Sequence, residues 1–229
     1  MSTQAQTISK DIITANDGKQ IEFNFIKHAS IYFVYDDCVF YLDPVKYQGY
    51  DYSQMPKADF IFITHDHYDH LDIDVVKEIS KSTTTIIANE FVVKQLGYGI
   101  ALKNWVRDDF SCNNFKFNVF AVPAYNTTEG RDQFHPQGRD NGYIVTIGGT
   151  VIYLPGDCET MEEMNKFGKI DIAFLPVNQP YTMTIEQAIQ AVLILMPTIV
   201  YPFHYGETDL EVFEEKVKSI GVEVKIFPM

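Results

Sequence analysis

The feature that most constrains the fold of this chain is a dense group of potential metal ligands directly after a short apolar segment. Residues 59–64 (Asp-Phe-Ile-Phe-Ile-Thr) have the composition of a buried strand, and residues 65–70 (His-Asp-His-Tyr-Asp-His) follow without a gap. Three of the six histidines of the protein fall within these six positions. A solvated polar turn is the alternative interpretation, but turns collect Asp rather than His. We therefore expect a strand whose end presents a metal site.

Two adjacent metal ions would account for this group of ligands. A turn after the strand can direct His65 and His67 toward one ion, and Asp69 and His70 toward a second. Two adjacent divalent ions make a nucleophile from water at neutral pH. The residues therefore indicate a hydrolase with a binuclear site.

Two later segments also end on residues that can bind metal ions. Residues 150–155 form an apolar segment followed by Gly156 and Asp157, and residues 198–203 form another followed by His204. Taken alone, Asp157 would be an ordinary turn residue and His204 a histidine of the core. Because three strand ends carry ligand residues, metal binding is favoured for both.

The length of 229 residues fits one domain with a substantial core. We expect residues 1–12 to form a flexible tail and residues 13–229 to form a single domain. Strand-like segments dominate the first half and helical patterns cluster in the second, which indicates an α/β fold with helices packed outside the sheets. No segment reaches the roughly 20 consecutive apolar residues that a membrane-spanning helix needs.

The cysteines and the first residues bear on the compartment. Cys38, Cys112 and Cys158 are odd in number and far apart, so we expect no disulfide framework. The first residues lack the basic segment and apolar core of a signal peptide. Together these features predict a cytoplasmic protein.

The net charge of −13 bears on the partners of the protein. Nucleic-acid binding depends on neutralising phosphates with Lys and Arg, and this chain has no basic cluster. We therefore expect a small-molecule substrate and no nucleic-acid partner, while the oligomeric state is not determined by the sequence.

Local patterns predict several elements. A Gly-Gly pair at 148–149 lies between two strand-like segments and indicates a hairpin. Three capping-box patterns predict helix starts, at Thr160, Thr184 and Thr208.

In their order and separation the ligand residues resemble the motif of the metallo-β-lactamase superfamily. The matching segments are His65–His70, Gly156-Asp157 and Pro202–Tyr205. Flanking residues, among them Lys27–Ser30 and Leu71-Asp72, are similar to those of ascorbate-6-phosphate lactonase-like and N-acylphosphatidylethanolamine phospholipase D-like hydrolases. The resemblance covers nearly the whole chain and implies a four-layer αββα sandwich with metal ions at the sheet edges.

The resemblance also implies a role for each ligand. His65 and His67 would bind the first ion, and Asp157 would bridge both ions. The second ion would be held by Asp69, His70 and His204. This donor set of histidine and carboxylate suits zinc, with manganese or iron as alternatives.

One position departs from this pattern. The resemblance leads us to expect a third histidine for the first ion at position 126, where this chain has Asn126. An amide oxygen is a weak neutral ligand, so the first site is loose, empty or completed from elsewhere. We expect His135, in the polar loop 127–140, to fold back and complete the site, and a free loop histidine is the alternative. His28 is expected to donate a hydrogen bond to a metal ligand.

These residues lead to one functional expectation and two alternatives. The expected function is hydrolysis of an ester, lactone, amide or phosphodiester of a small molecule by a hydroxide that both ions activate. Asp69 would orient the hydroxide, Asp157 would act as the bridging catalytic carboxylate, and Tyr205 or Tyr181 would help to stabilise the oxyanion. A metal-binding scaffold or sensor with little turnover is the alternative that Asn126 suggests. A nucleic-acid processing enzyme is disfavoured by the acidity of the chain.

Overall fold

A computed structural model describes residues 8–229, which form two seven-stranded sheets. The strands of the first sheet lie side by side in chain order: β1 (Ser9–Thr14), β2 (Gln20–Lys27), β3 (Ser30–Tyr35), β4 (Cys38–Leu42), β5 (Ala58–Ile63), β6 (Ser80–Ala88) and β7 (Ile100–Ala101). The strands of the second sheet also lie in chain order: β8 (Arg107–Cys112), β9 (Phe115–Ala124), β10 (Asp140–Ile147), β11 (Thr150–Leu154), β12 (Ile172–Pro176), β13 (Ile199–Phe203) and β14 (Glu223–Val224).

Each sheet is assembled by the same succession of pairings. Strands β1 to β4 pair antiparallel and β4 to β7 pair parallel. Strands β8 to β11 likewise pair antiparallel and β11 to β14 pair parallel. Antiparallel neighbours need only a short turn, whereas parallel neighbours need a crossover that places chain on the outer face of the sheet. The two halves of the chain therefore repeat one arrangement.

Alternation of side chains along the central strands separates the apolar layers. In β5, Phe62 packs into the core between the two sheets, and Ile61 faces the opposite side. In β12, Phe174 packs into the same core between the sheets, and Leu175 faces outward. Strands buried on both faces in this way read as continuous apolar segments.

Four α-helices cover the outer faces: α1 (Ile73–Ile79), α2 (Glu90–Leu96), α3 (Ile185–Leu195) and α4 (Glu211–Ser219). Helices α1 and α2 contribute to the apolar layer outside the first sheet, and α3 and α4 to the layer outside the second. The succession of helix, sheet, sheet and helix confirms the predicted four-layer α/β sandwich. Among residues 8–229, no helix is both long enough and apolar enough to cross a membrane.

The predicted local elements have mixed outcomes. The hairpin between β10 and β11 is confirmed. Helix α3 begins after Thr184, whose capping box is complete. The helix starts at Thr160 and Thr208 are wrong, because residues 162–166 form only a short 3₁₀ helix and α4 begins later without a side-chain cap. The Thr160 hydroxyl donates instead to Gln187 O, a tertiary contact that the local pattern does not encode.

The predicted tail, residues 1–12, overlaps the first strand. Residues 1–7 lie outside the described residues, but β1 begins at Ser9 and pairs with β2 along its whole length. Asp11 Oδ2 accepts hydrogen bonds from Tyr201 Oη and Lys225 Nζ, both at 2.7 Å. Residues 9–12 therefore belong to the first sheet and not to a tail. An edge strand is half exposed, so its sequence lacks the continuous apolar character of the inner strands.

The sequence predicts no disulfide framework, but two of the three cysteines form a disulfide. Cys38 begins β4 in the first sheet, Cys112 ends β8 in the second, and their Sγ atoms are bonded. The two cysteines are buried and lie 74 residues apart in the sequence. Spacing along the chain does not reveal this pair, because only the packing of one sheet on the other brings the two strand ends together. Cys158 is buried and free.

Candidate metal centre

The potential ligands are collected at one edge of the sandwich, where parallel strands of both sheets end. His65 follows β5 in the first sheet, and Asp157 and His204 follow β11 and β13 in the second. The carboxyl ends of parallel strands form crevices in which ligands commonly bind. His135 comes from residues 125–139, which connect β9 to β10 and are called the β9–β10 loop below.

The turn before Asp157 requires glycine. Gly156 has a φ of 66°, in the left-handed region that other residues rarely adopt. A Cβ atom at this position would lie 2.7 Å from Thr64 Cβ and 3.0 Å from Asn141 O. Glycine therefore allows the end of β11 to approach the end of β5, so that ligands from the two sheets can meet.

Three imidazoles converge on one point. His65 Nε2 lies 3.1 Å from His67 Nδ1, and His67 Nδ1 lies 3.2 Å from His135 Nε2. Two nitrogen ligands of a tetrahedral zinc ion, each ~2.0–2.1 Å from the metal, lie about 3.3 Å apart. The three nitrogen atoms therefore have the spacing of ligands of a single ion, and His135 occupies the place that Asn126 leaves open in the sequence.

Asn126 holds His135 in place. An amide oxygen can only accept, so His135 Nδ1 donates to Asn126 Oδ1 over 3.0 Å, which leaves His135 Nε2 unprotonated and facing His67. The amide nitrogen of Asn126 donates to Tyr181 O at 2.8 Å, which fixes the orientation of the amide. The backbone nitrogen of Asn126 donates to His135 O at 2.9 Å. Asn126 thus sets the position and the tautomer of His135.

Asp157 lies between this group and a second one. Its Oδ1 is 3.2 Å from His70 Nε2, and its Oδ2 is 3.2 Å from His204 Nε2 and 3.4 Å from His135 Nε2. A carboxylate in this position can offer one oxygen to each of two ions.

Asp69 and His28 complete the second group. Asp69 Oδ2 lies 3.9 Å from His204 Nε2 and 3.3 Å from His28 Nε2. The ring centroids of His28 and His204 are 3.7 Å apart, and His204 N donates to His28 O at 2.9 Å. The structure therefore brings four potential ligands to one place, and the contact of His28 with Asp69 is the hydrogen bond expected for it. The four residues are His28, Asp69, His70 and His204.

Several buried polar atoms at this edge have no hydrogen-bond partner. They are His70 Nε2, Asp157 Oδ1, and both ring nitrogens of His204. Buried polar atoms are nearly always paired, and an unpaired one costs about 1–3 kcal/mol. His70 Nε2 and Asp157 Oδ1 are 3.2 Å apart without being aligned as a hydrogen bond. A cation would satisfy both atoms, and a donor set of nitrogen and oxygen fits divalent metal ions.

Asp43, the residue after β4, orients two of the ligands although sequence patterns did not single it out. It accepts hydrogen bonds from Thr64 N at 2.8 Å and from Thr64 Oγ1 at 2.7 Å. Because the Thr64 hydroxyl proton is used, Thr64 Oγ1 accepts from His65 Nδ1 at 2.9 Å. His70 Nδ1 donates to Asp43 Oδ2 at 2.8 Å. Both imidazoles therefore present Nε2 to the site. Asp43 directly follows an apolar strand, as the predicted ligands do, but a single aspartate in that position is too common to identify it from the sequence.

Burial keeps the first group of imidazoles neutral. It lowers the pKa of His65 well below the ordinary value, lowers that of His67, and lowers the pKa of His135 to about 4. Neutral imidazole is the form that binds metal ions. At neutral pH these three side chains can bind an ion without first losing a proton.

The second group carries charge. Burial opposes ionisation of Asp157, but His204 and His70 hold its pKa well below the usual value. Burial also disfavours the charged form of His70, but Asp157 raises the pKa of His70 well above the usual value. Burial would also raise the pKa of Asp69, but the hydrogen bond from His28 outweighs this effect and the pKa is lowered to about 2. A metal ion bound here would therefore take the place of the His70 proton as the counter-charge of Asp157.

Glu159 fastens the β9–β10 loop and was also missed by sequence patterns. Its buried carboxylate accepts hydrogen bonds from Thr127 N at 2.8 Å, Thr128 N at 2.6 Å and Arg131 Nη1 at 3.3 Å. Burial alone would raise the pKa of Glu159, but the hydrogen bonds that it accepts, chiefly those from Thr128, hold the pKa below its usual value. The loop that carries His135 is thus tied to the turn that carries Asp157. No local pattern marks Glu159, because its partners lie about 30 residues away.

A cavity of about 450 Å³ opens onto these ligands. Besides the histidines and aspartates of the site, it is lined by Asp66, Tyr68, Phe134 and Tyr181. Tyr205 lies elsewhere, because its hydroxyl donates to Phe227 O at 2.8 Å and its ring lines a separate cavity near the last residues. Of the two tyrosines predicted to contact the substrate, Tyr181 therefore lines this cavity and Tyr205 does not.

A family model describes the part of the chain that holds the site. Residues 22–204 match the model of the beta-lactamase superfamily domain. The matched range includes His28 and ends at His204, so it contains all the residues of the two groups.

Several known proteins are similar over most of their length. The UPF0173 metal-dependent hydrolase of Staphylothermus marinus is 32% identical over 191 residues, which are 78% of this chain and 77% of that protein. A solved structure from Parabacteroides distasonis, assigned as a metal-dependent hydrolase, is 46% identical, with a TM-score of 0.90 over 96% of this chain and 98% of that one. Igni18, a novel metallo hydrolase from Ignicoccus hospitalis, is 22% identical, with a TM-score of 0.76 over 91% and 95% of the two chains. At that identity the likeness to Igni18 extends to the fold alone.

Proposed function

The chain belongs to the beta-lactamase superfamily and to its UPF0173 group, and we propose that it is a hydrolase that uses two divalent metal ions to cleave an ester, lactone, amide or phosphodiester of a small molecule. The observation that carries this proposal is the convergence of His65, His67 and His135, with Asp157 between them and the second group. The metal-dependent hydrolases among the relatives support the reaction class.

The two groups of residues would hold one ion each. His65, His67 and His135 would bind the first ion, and Asp157 would offer an oxygen to both. The second ion would be bound by Asp69, His70 and His204. Zinc suits these nitrogen and oxygen donors, and manganese or iron is compatible with them.

The chain's own residues position the reactants. Two divalent ions, when bound, would supply Lewis acidity and lower the pKa of water so that a nucleophile forms at neutral pH. Asp69 is a quarter exposed and ionised, so its carboxylate can accept a hydrogen bond from water in the cavity and orient it. His28 holds Asp69 in that orientation. Asp43 and Asn126 keep the ligand imidazoles in the tautomers that leave a nitrogen free for metal.

A metal-binding scaffold is the alternative that Asn126 suggests, and the position of His135 beside His67 supports the hydrolase over it. The acidity of the chain supports a small-molecule substrate over nucleic acid.

Metal content and activity of variants at positions 126 and 135 test the proposal. We expect about two ions per chain in the wild type, measured by inductively coupled plasma mass spectrometry, and about one in His135→Ala. Hydrolysis of a panel of esters and lactones should fall by at least about a hundredfold, since loss even of a hydrogen-bonding partner of a ligand costs about 10- to 100-fold. The double variant N126H/H135N returns an imidazole to position 126 and should regain the second ion.

Gln133→Ala, in the same loop, is the matched control and should keep both ions. Two ions and full turnover in His135→Ala would contradict the assignment, whereas metal binding without turnover in the wild type would favour the scaffold.

A further inference from the structure

The cavity beside the metal ligands has aromatic walls. Tyr68, Phe134 and Tyr181 line it and come from three different loops. The rings of Phe134 and Tyr181 meet edge to face, with centroids 5.0 Å apart and planes at 73°. These rings are not buried in the core, since Tyr68 is 88% and Tyr181 45% exposed. Exposed aromatic rings gathered around a concave site mark a binding surface.

The positive side chains near the cavity already have carboxylate partners. Arg139 contacts Asp66 Oδ1 through Nη2, and its Nη1 lies 3.1 Å from Asp140 Oδ1. Arg131 Nη1 lies 3.3 Å from the carboxylate of Glu159. The described residues that line the cavity include three aspartates and neither Lys nor Arg. A phosphate group would therefore find no cationic side chain on these walls.

Hydrogen bonds of Asn126 connect the aromatic side of the cavity, formed by Phe134 and Tyr181, to the imidazoles of the first group of ligands. Asn126 donates to the backbone oxygen of Tyr181 and accepts from His135, which follows Phe134 in the chain. The backbone of Tyr181 and the residue after Phe134 are therefore both hydrogen-bonded to Asn126, which places the two rings near the ligand imidazoles. Because the contact of Tyr181 is made by its backbone, its ring can be replaced without removing that hydrogen bond.

We propose that the substrate is an uncharged acyl compound, an ester, lactone or amide, with an aromatic ring close to its carbonyl group, and that Phe134 and Tyr181 bind the ring. The inference rests on the proposed hydrolase function and excludes phosphodiesters from the class of substrates given there. The cavity of about 450 Å³ lies within the range of small-molecule sites, roughly 300–1,000 Å³.

A pair of methyl esters isolates the contribution of the ring. On the zinc-loaded protein, kcat/KM for methyl phenylacetate should exceed that for methyl acetate, and both should exceed the value for bis(4-nitrophenyl) phosphate. Tyr181→Ala should reduce the preference for the ring by about two- to tenfold, the value of one aromatic contact, and Tyr181→Phe should retain it. Tyr98→Ala, which removes another half-exposed tyrosine in the turn after α2, is the matched control and should leave the ratio unchanged. Metal content is measured for each variant to verify that His135 is still in place.

A binding measurement separates failure of this inference from failure of the proposed function. Saturation-transfer NMR on the zinc-loaded protein should detect phenylacetamide more strongly than acetamide, and Tyr181→Ala should weaken that signal. If no ester is cleaved but ring binding depends on Tyr181, the hydrolase function fails and the ligand class is supported. The inference would be overturned if Tyr181→Ala changed neither the phenylacetamide signal nor the ratio of kcat/KM for methyl phenylacetate to kcat/KM for methyl acetate. Faster cleavage of the phosphodiester than of methyl phenylacetate would also overturn it.

Discussion

Asn126 and His135 together supply the third imidazole of the first group of ligands, which a histidine at position 126 would supply alone. His135 supplies the nitrogen atom that faces His67, and Asn126 supplies the acceptor that orients the ring. An amide oxygen is a weaker metal ligand than an imidazole nitrogen, but it is a good hydrogen-bond acceptor. The substitution at position 126 is therefore compatible with a complete group of three imidazoles.

Asp140, the first residue of β10, is a single buried carboxyl group that should make stability depend on pH. Burial raises its pKa from 3.8 to about 7, although Arg139 opposes the shift. The folded chain therefore keeps a proton that the unfolded chain loses, so stability falls as pH rises from about 4 to about 7 and is level above that. Asp140→Asn should remove this contribution, which is on the order of 2–3 kcal/mol between about pH 5 and about pH 8.

Urea unfolding at the two pH values measures the effect. Asp74→Asn, which removes an exposed carboxyl group, is the control. The difference in unfolding free energy between the two pH values should be smaller in Asp140→Asn than in either the wild type or the control. An equal difference in all three proteins would contradict a proton held by Asp140.

At the scale of elements, the β9–β10 loop decides whether the first group of ligands is complete. The loop carries His135, and its first turn is fastened by the buried Glu159 through Thr127, Thr128 and Arg131. Loops are normally the more mobile parts of a fold. A buried carboxylate with several donors is the feature that gives this loop a defined position.

Glu159→Gln should loosen the loop. An amide in place of the carboxylate brings an N–H group against backbone N–H donors, and a buried unmatched donor costs about 1–3 kcal/mol. Because His135 would then be less well positioned, affinity for the first ion should fall by about tenfold, with faster hydrogen exchange at Thr127 and Thr128. Competition with a metal chelator and exchange mass spectrometry measure the two effects. Glu162→Gln, an exposed neighbour, is the control, and unaltered metal affinity in Glu159→Gln would refute this role for the loop.

At the scale of the whole molecule, a disulfide cross-links the two sheets. The Cys38–Cys112 disulfide connects β4 of the first sheet to β8 of the second and closes a loop of 74 residues. In the chain-entropy treatment, a loop of this length stabilises the folded state by about 4 kcal/mol. We expect C38A/C112A to unfold at a lower denaturant concentration than the wild type. Dithiothreitol should lower the midpoint of the wild type and leave that of C38A/C112A unchanged; a wild type insensitive to the reductant would count against a stabilising role.

The same disulfide opposes the expectation of a cytoplasmic location. Cytosolic thiol systems keep most cysteines reduced, whereas disulfides persist in oxidising compartments. Because all three cysteines are buried, the protein is alkylated under denaturing conditions immediately after cell lysis so that every thiol can react. One modified cysteine, Cys158, indicates an oxidising compartment, and three indicate the cytoplasm.

The sequence by itself determined the features that depend on residues close together in the chain. Apolar segments that end on His65, Asp157 and His204 identify strand ends with metal ligands, and the glycine pair at 148–149 identifies a hairpin. The α/β class follows from the same alternation of strand and helix patterns. Asp43 carries the same strand-end pattern, but a single aspartate after a strand is common and does not stand out.

Only the tertiary structure decided which distant residues meet. His135 reaches His67 across 68 positions of the chain, and Cys38 reaches Cys112 across 74. Glu159 reaches Thr128 across 31 positions. Such contacts depend on how two sheets pack and how a loop closes, whereas side-chain periodicity reports only on neighbours within a strand or helix. The sequence therefore indicated that the strand ends hold ligands for metal ions, and the packing of the sheets and the closure of the β9–β10 loop decided that His135, held by Asn126, stands with His65 and His67.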